Sequence, residues 1–272
     1  MKRKKEDLRI IFLGNPEFAR YHLEKIVEAG YNVVAVISAP DRPAGRGLKL
    51  TPTPVTKYAR ELGLPCLQPK NLKNPDFIEE LKSFKADLQV VIAFRMLPVV
   101  VWDMPPLGTY NLHGSLLPKY RGAAPINWAI INGEEETGVT TFKLKHEIDT
   151  GNIIVQESCK IESDDTASSL HDKLMILGGE ATLETLEQIV NNTVKETEQD
   201  LETEITKAPK LNTNNTQVNW NDSVDNVYNF IKGLNPFPAA HSSLEGKIVK
   251  FYAVAKINES HNLEPGTIVS DN

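Results

Sequence analysis

The feature that most restricts this chain is an alternation of short continuous apolar runs with helix-spaced segments over residues 8–131. β-like runs stand at 8–13, 31–37, 88–93 and 110–112, and Gly14-Asn15-Pro16 breaks off the first of them. Residues 16–29 carry apolar side chains at helical spacing, Phe18, Leu23, Ile26 and Val27, and Gly30 closes that helix. Further helical candidates lie at 54–62, 75–84 and 125–131. Strands that are apolar throughout, rather than alternately, need cover on both faces, so the pattern predicts an α/β fold with a parallel sheet between helices. Residues 139–144 and 153–156 read as further strands, and 168–190 as one long helix that persists despite Gly178 and Gly179.

The remainder of the 272 residues divides by composition. Between 191 and 205 the chain turns acidic and polar, NNTVKETEQDLETEI, which predicts an exposed connection at a domain boundary. Beyond it come a helical piece at 223–234, the turn Asn235-Pro236-Phe237-Pro238, and β-like runs at 248–254 and 267–269. The longest apolar stretch, 88–102, is interrupted by Arg95 and Pro98 and falls short of a bilayer span, so no membrane partner is expected. The basic opening MKRKKEDLRI leads straight into a strand without the apolar region of a secretory signal, and the cytoplasm is the expected compartment. Cys66 and Cys159 have no spacing that suggests a metal site or a disulfide framework. The net charge of −6 conceals a local excess of cations: 39–60 holds Arg42, Arg46, Lys49, Lys57 and Arg60 against Asp41, a segment suited to a polyanion.

Chemistry concentrates in 108–125, GTYNLHGSLLPKYRGAAP. On a strand, Asn111 and His113 project from one face at its carboxyl end, where open α/β sheets place their active sites. An amide donor beside an imidazole suits acyl transfer to an amine, because the amide can hold an oxyanion while the imidazole handles protons. The same spacing also fits a satisfied structural histidine next to a turn. Asp149 in HEIDTG offers a carboxylate to orient the imidazole, with Gly151 permitting a tight turn before the next strand. His146 fits a surface or turn position, and His22, His171, His241 and His261 carry no accompanying chemistry.

Asn111-x-His113 followed by Ser115-Leu116-Leu117-Pro118, with Asp149-Thr150-Gly151 downstream, resembles the active site of the folate-dependent formyltransferases. The longer SLLPKYRGAAPINWAIINGEEETGVTTF, together with the loop PDRPAGRGLKLTPTP at 40–54, is similar to the branch of that family that acts on methionyl initiator tRNA. The likeness runs from residue 9 to about residue 190 and continues more weakly through APKLN, VNW and FIKGLNPFPAA. It implies a Rossmann-like, mostly parallel α/β formyltransferase domain over 1–190, a linker over 191–207, and a C-terminal tRNA-binding, barrel-like domain over 208–272. It also implies transfer of the formyl group of 10-formyltetrahydrofolate to the α-amino group of methionyl initiator tRNA, with no metal and no nicotinamide. The first turn, Gly14-Asn15-Pro16-Glu17-Phe18, indeed lacks the glycine spacing of a dinucleotide fingerprint.

On this resemblance His113 assists proton removal from the amine, Asn111 donates to the formyl oxygen, and Asp149 polarises the imidazole or passes a proton through water. Folate binding is carried over to Phe94, Arg95, Met96 and Leu97, to Ser115, Leu116, Leu117 and Pro118, and to Glu147 and Ile148. Arg95 stands where the family carries a small residue. Substrate contacts fall to Asn15, Arg42, Arg46 and Lys49, the last three on an arm at 41–50 punctuated by Gly and Pro. Other members of the superfamily, acting on an amino-sugar nucleotide or glycinamide ribonucleotide or hydrolysing formyltetrahydrofolate, share the Asn, His and Asp chemistry. A folate- or RNA-binding protein without catalysis is the alternative from another class. In the family the C-terminal barrel continues beyond the point where this sequence ends, which implies an incomplete barrel, an exposed sheet edge, intact chemistry and weaker tRNA affinity. A monomer is expected.

Overall fold

A computed structural model describes residues 3–44, 47–200, 205–257 and 259–269. The chain enters the sheet through β1 (Arg9–Gly14), followed by α1 (Glu17–Glu28) and β2 (Asn32–Ile37). A small hairpin of β3 (Arg42–Ala44) and β4 (Lys49–Thr51) precedes α2 (Pro54–Glu61), the two-residue β5 (Cys66–Leu67), α3 (Pro75–Ser83) and β6 (Leu88–Ile92). The one-turn α4 (Val99–Trp102) leads to β7 (Thr109–His113), β8 (Arg121–Gly122) and α5 (Pro125–Ile131). Then come β9 (Glu136–Lys143), β10 (Ile153–Lys160) and the long α6 (Ala167–Asn191). The C-terminal part holds β11 (Lys207–Ala208), α7 (Val224–Gly233), β12 (Ala240–Leu244) and β13 (Lys247–Phe251).

Helix starts follow local chemistry. Thr53 accepts a hydrogen bond from the Thr56 amide at 3.0 Å and Asn74 from that of Asp76 at 2.9 Å, each just before a proline at the first helical position, where no amide partner is needed. Thr166 and Ser169 form a reciprocal capping box at the start of α6.

Seven strands form one sheet in the order β10-β9-β7-β6-β1-β2-β5. The five from β5 to β7 in that order run parallel, and β9 and β10 close the other edge antiparallel. On one face Ile10, Phe12, Val90, Ile92, Tyr110 and Leu112 pack with α1 and α6 residues such as Leu23, Ile26, Leu170 and Leu174. On the other face Ile11, Leu13, Ile37 and Val91 pack with Phe77, Leu81, Leu97 and Val101. The sheet is thus mostly parallel and covered on both faces, with all the parallel strands ending at the same edge. No helix among the described residues is long and apolar enough to cross a membrane.

The two glycines inside α6 have a packing reason. A Cβ at Gly178 would come within 2.7 Å of Leu112 and 2.8 Å of His22, and one at Gly179 within 3.0 Å of Tyr21. The helix gives up about 1 kcal/mol of propensity at such a position and gains close contact with α1 and β7. His22 is wholly buried at this contact; its Nδ1 donates to the Phe18 carbonyl at 2.6 Å, and its Nε2 has no partner among the described residues. Burial pushes its pKa down from 6.5 to about 4, helped by the neighbouring His171 and opposed by the Phe18 carbonyl. The unfolded chain therefore binds a proton as the pH drops through 6.5, which the folded chain refuses until about 4. Stability is full above pH 6.5 and falls by about 3 kcal/mol as the pH approaches 4. Urea denaturation at pH 7 and 4.5, in the parent chain and in His22→Leu, reads this directly: the variant loses distinctly less between the two pH values.

Beyond α6 the chain does not leave the sheet as a free tether. Thr197 exchanges backbone hydrogen bonds of 2.8 and 2.9 Å with Ile153, and the Gln199 side chain is buried. β11 pairs in parallel with β8. Farther on, α7 packs on α5, and Val218, Ile231, Leu234 and Ala240 form a small core with Ile131, Trp220 and Phe251. The β-like run at 248–254 becomes the shorter β13, which among the described residues pairs with β12 alone, and 267–269 forms no strand. No described strand lies beside 267–269 to take up its backbone groups, and Ile268 and Val269 stay exposed. Among the described residues the β12–β13 hairpin is extended only by a one-residue parallel bridge between Gln217 and His241 and does not close into a barrel, and Leu244 and Ile248 remain exposed on it.

Candidate active site

Asn111 and His113 belong to β7, where Asn111 lies beside Val91 of β6, so both project on the sheet face that packs with Phe77, Leu81, Leu97 and Val101. His113 is buried at the strand's carboxyl end. Its Nε2 lies 2.8 Å from the Tyr120 carbonyl oxygen, and because a carbonyl can only accept, that nitrogen carries the proton. The neutral ring therefore keeps its lone pair on Nδ1, which lies 4.0 Å from Asp149 Oδ2. That gap is wider than a hydrogen bond and narrow enough for a strong Coulombic interaction with an imidazolium. Asp149 Oδ2 is itself held by the Gly122 amide at 3.0 Å. The Asn111 carboxamide makes no hydrogen bond among the described residues, so its donors are free for a ligand.

The turn at 115–118 returns the chain to His113. Ser115 Oγ donates to the Lys119 carbonyl at 2.6 Å, and Thr140 Oγ1 donates to that of Ser115 at 2.6 Å while accepting from the Leu117 amide at 3.1 Å. Gln156 Nε2 closes the web on the Leu117 carbonyl and Thr140 Oγ1, each at 3.0 Å. Ser115 and Leu117 are buried by this arrangement, while Leu116 and Pro118 are half-buried. It delivers Tyr120 in a left-handed conformation, φ 60°, with its carbonyl on His113 and its hydroxyl donating to Glu134 at 2.7 Å. Burial, reinforced by Glu134, raises that phenol well above its ordinary range.

The exit of β6 lies in the next strand position. Phe94 and Leu97 pack among the apolar residues on that same sheet face, and Met96 is 75% exposed. The Arg95 guanidinium donates to the Lys70 carbonyl at 3.0 Å and to that of Pro69, so its side chain straps down the segment after β5. Burial lowers its pKa, and the nearby charge of Arg42 adds to the effect. By contrast, the main-chain amides and carbonyls of 94–97 make no hydrogen bond among the described residues. Glu147 and Ile148, before Asp149, are exposed.

Asn15 ends up between two strand exits: its Oδ1 accepts from the Ala39 amide at 2.8 Å and from Ser38 Oγ at 3.2 Å. Its acceptor is thus committed to joining the ends of β1 and β2. Arg42 and Lys49 sit on opposite strands of the β3–β4 hairpin, both exposed and without an ion-pair partner among the described residues, and Arg46 lies outside those residues. Over its described residues the arm that the sequence marks by its Gly and Pro punctuation is therefore a paired hairpin. Gln68 donates to Asp41 at 2.7 Å and Arg60 pairs with it at 3.2 Å, fixing the hairpin's base. Gln68 first, and Arg60 after it, hold the Asp41 carboxyl below its usual range against some desolvation.

The turn before β10 differs from its reading in sequence. The left-handed residue is Asp149 itself, φ 56°, and not Gly151. Gly151 is required for another reason, since a Cβ there would lie 1.8 Å from the Lys143 carbonyl oxygen. His146 is exposed, as its position after β9 suggested. Among the groups that the sequence did not reveal are the Tyr120 carbonyl and the Gly122 amide, because main-chain atoms leave no residue-type signal. No group of three His, Cys, Asp or Glu that could hold a metal occurs among the described residues.

A family model described as formyl transferase matches residues 8–186, and one for the formyl transferase C-terminal domain matches 210–272. Methionyl-tRNA formyltransferase of Bacteroides thetaiotaomicron is 54% identical over 276 residues, covering 98% of this chain and 86% of that protein. The protein of the same name from Bacteroides fragilis is 52% identical, covering 98% and 85%. Among solved structures, HypX from Aquifex aeolicus in complex with tetrahydrofolic acid is similar in fold, with a TM-score of 0.67 at 22% identity, over 90% of this chain and 37% of HypX.

Proposed function

The chain belongs to the formyl transferase family, and on that premise we propose that it transfers the formyl group of 10-formyltetrahydrofolate to the α-amino group of methionyl initiator tRNA. The observation that carries the chemistry is the convergence of a free Asn111 carboxamide, a His113 ring whose Nε2 proton is fixed on Tyr120, and the Asp149 carboxylate 4.0 Å from Nδ1. We assign catalysis to residues 1–190, a connection to 191–207 and tRNA binding to 208–272 together with the β3–β4 hairpin, in a cytoplasmic monomer that needs no metal.

The site fits a flat heterocyclic donor. Unpaired main-chain groups at 94–97 can match the edge of a pterin, with half-buried Phe94 and exposed Met96 and Ile148 offering apolar surface nearby. Asn111 donates to the formyl oxygen as it gains negative charge. His113 Nδ1, the nitrogen with the lone pair, takes the proton that the amine loses when the new C–N bond forms, directly or through water. Asp149 stabilises the resulting imidazolium, and the same proton passes to the folate nitrogen as its bond to the formyl carbon breaks. Arg42 and Lys49, exposed and without a carboxylate partner among the described residues, suit phosphates near the acceptor end of a tRNA.

The test is a transfer assay with 10-formyltetrahydrofolate and a panel of acceptors: methionyl initiator tRNA, methionyl elongator tRNA and an amino-sugar nucleotide. Formylation of the initiator tRNA alone is the expected result. Formylation of the sugar nucleotide alone would keep the chemistry and overturn the acceptor.

A further inference from the structure

Gln199 lies in the acidic stretch after α6 that composition marks as a tether, yet its side chain is only 7% exposed. Its Nε2 donates at 2.8 Å to the Asp149 carbonyl and at 2.8 Å to the Gly151 carbonyl. Its Oε1 accepts from Arg121 Nε at 3.2 Å and from a second nitrogen of the same guanidinium. Both donors and the acceptor of one carboxamide are thus spent on two segments, 149–151 and 121–122. The Gly122 amide in turn binds the Asp149 carboxylate at 3.0 Å. Asp149 is therefore gripped at its main chain by Gln199 and at its side chain by the segment that Gln199 also holds.

We propose that Gln199 is a positioning residue that holds Asp149 toward His113, so that the connection after α6 is part of the active-site frame. Such a grip matters at Asp149 because φ 56° lies in the sparsely populated left-handed region, where surrounding contacts help to hold the residue in place. The chain reinforces the frame again a few residues later, where β11 pairs with Arg121 and Gly122. Without the carboxamide, two carbonyls lose their donors and the Arg121 guanidinium loses its acceptor, and the 149–151 turn keeps only the Gly122 amide on the Asp149 carboxylate and the neighbouring turn bonds to oppose its relaxation. A displacement of about 1 Å in a catalytic group costs up to roughly 100-fold in rate.

This assignment rests on the formyl-transfer reading, and the decisive measurement is a double-mutant cycle in that reaction. Gln199→Leu is expected to lower kcat by about 10-fold or more in the parent chain, with KM for both substrates within about twofold. In an Asp149→Asn background the same change should alter kcat by less than about twofold, because the group it positions is already disabled. Gln199→Glu, which keeps an acceptor for Arg121 but cannot donate to the two carbonyls, should behave like the leucine variant, and it decides the matter if the leucine variant fails to fold. Equal losses in both backgrounds, or full kcat in Gln199→Glu, would overturn the assignment. If the parent chain formylates none of the acceptors, the functional reading fails separately. A crystal structure of Gln199→Glu then decides: a displaced Asp149 carboxylate upholds the positioning role, and an unmoved one ends it.

Discussion

Replacing His113 by glutamine lowers turnover by at least about 100-fold while leaving KM for the folate donor near its parent value. The size follows from what is removed. Glutamine can still donate to the Tyr120 carbonyl, as His113 Nε2 does at 2.8 Å, but it offers no base beside Asp149. Alanine removes both functions and leaves the Tyr120 carbonyl without its donor, which adds about 1–3 kcal/mol of lost stability to the loss of turnover. Comparing the two variants in urea denaturation and in single-turnover transfer separates the proton-handling role from the structural one. Turnover of His113→Gln within tenfold of the parent would mean that the ring is only a satisfied structural histidine, and the acid–base assignment would fall. Asn111→Ala should lose a comparable factor of about 100-fold by a different route, the loss of a donor to developing oxyanion charge, and should hardly change stability because its carboxamide makes no hydrogen bond among the described residues.

The elements that frame this site were legible because they are buried on both faces. After their first residues β1 and β2 are continuous apolar runs, β6 is broken only by the buried Gln89, and no amphipathic reading competes with that pattern. Asn111 and His113 could be placed on one face from the two-residue period alone, and the sheet register bears this out. What escaped notice has little side-chain signature. β5 has two residues, and the β3–β4 hairpin is held by main-chain pairing while its side chains are mostly exposed. Arg95 looked like an odd lining residue; its actual partners are two carbonyls brought near by the loop after β5, which no local pattern encodes. Gln199 was concealed by its neighbours, since a stretch of acidic and polar residues predicts solvent, and a single carboxamide within it carries no sign of burial.

Gly151→Ala tests whether the turn that carries Asp149 and the sheet beneath it form one unit. The added Cβ would stand 1.8 Å from the Lys143 carbonyl oxygen and 2.8 Å from the Phe142 ring. Lys143 cannot retreat, because it pairs with Tyr110 of β7 on one side and its amide donates to the Asn152 carbonyl at 3.1 Å on the other. Segment 149–152 has to move instead, which breaks that bond and the one from Gln199 to the Gly151 carbonyl. Overpacking together with unpaired main-chain groups amounts to about 2–4 kcal/mol of lost stability, to be read as a lower denaturation midpoint at unchanged slope. Since Asp149 travels with the same segment, turnover should fall by at least about tenfold in whatever fraction remains folded. A Gly151→Ala chain with parental stability and turnover would mean that the segment yields freely and that the position of Asp149 is not set by close packing on β9. Stability and turnover fall together here, whereas His113→Gln lowers turnover alone; that contrast separates the frame that holds the carboxylate from the ring that uses it.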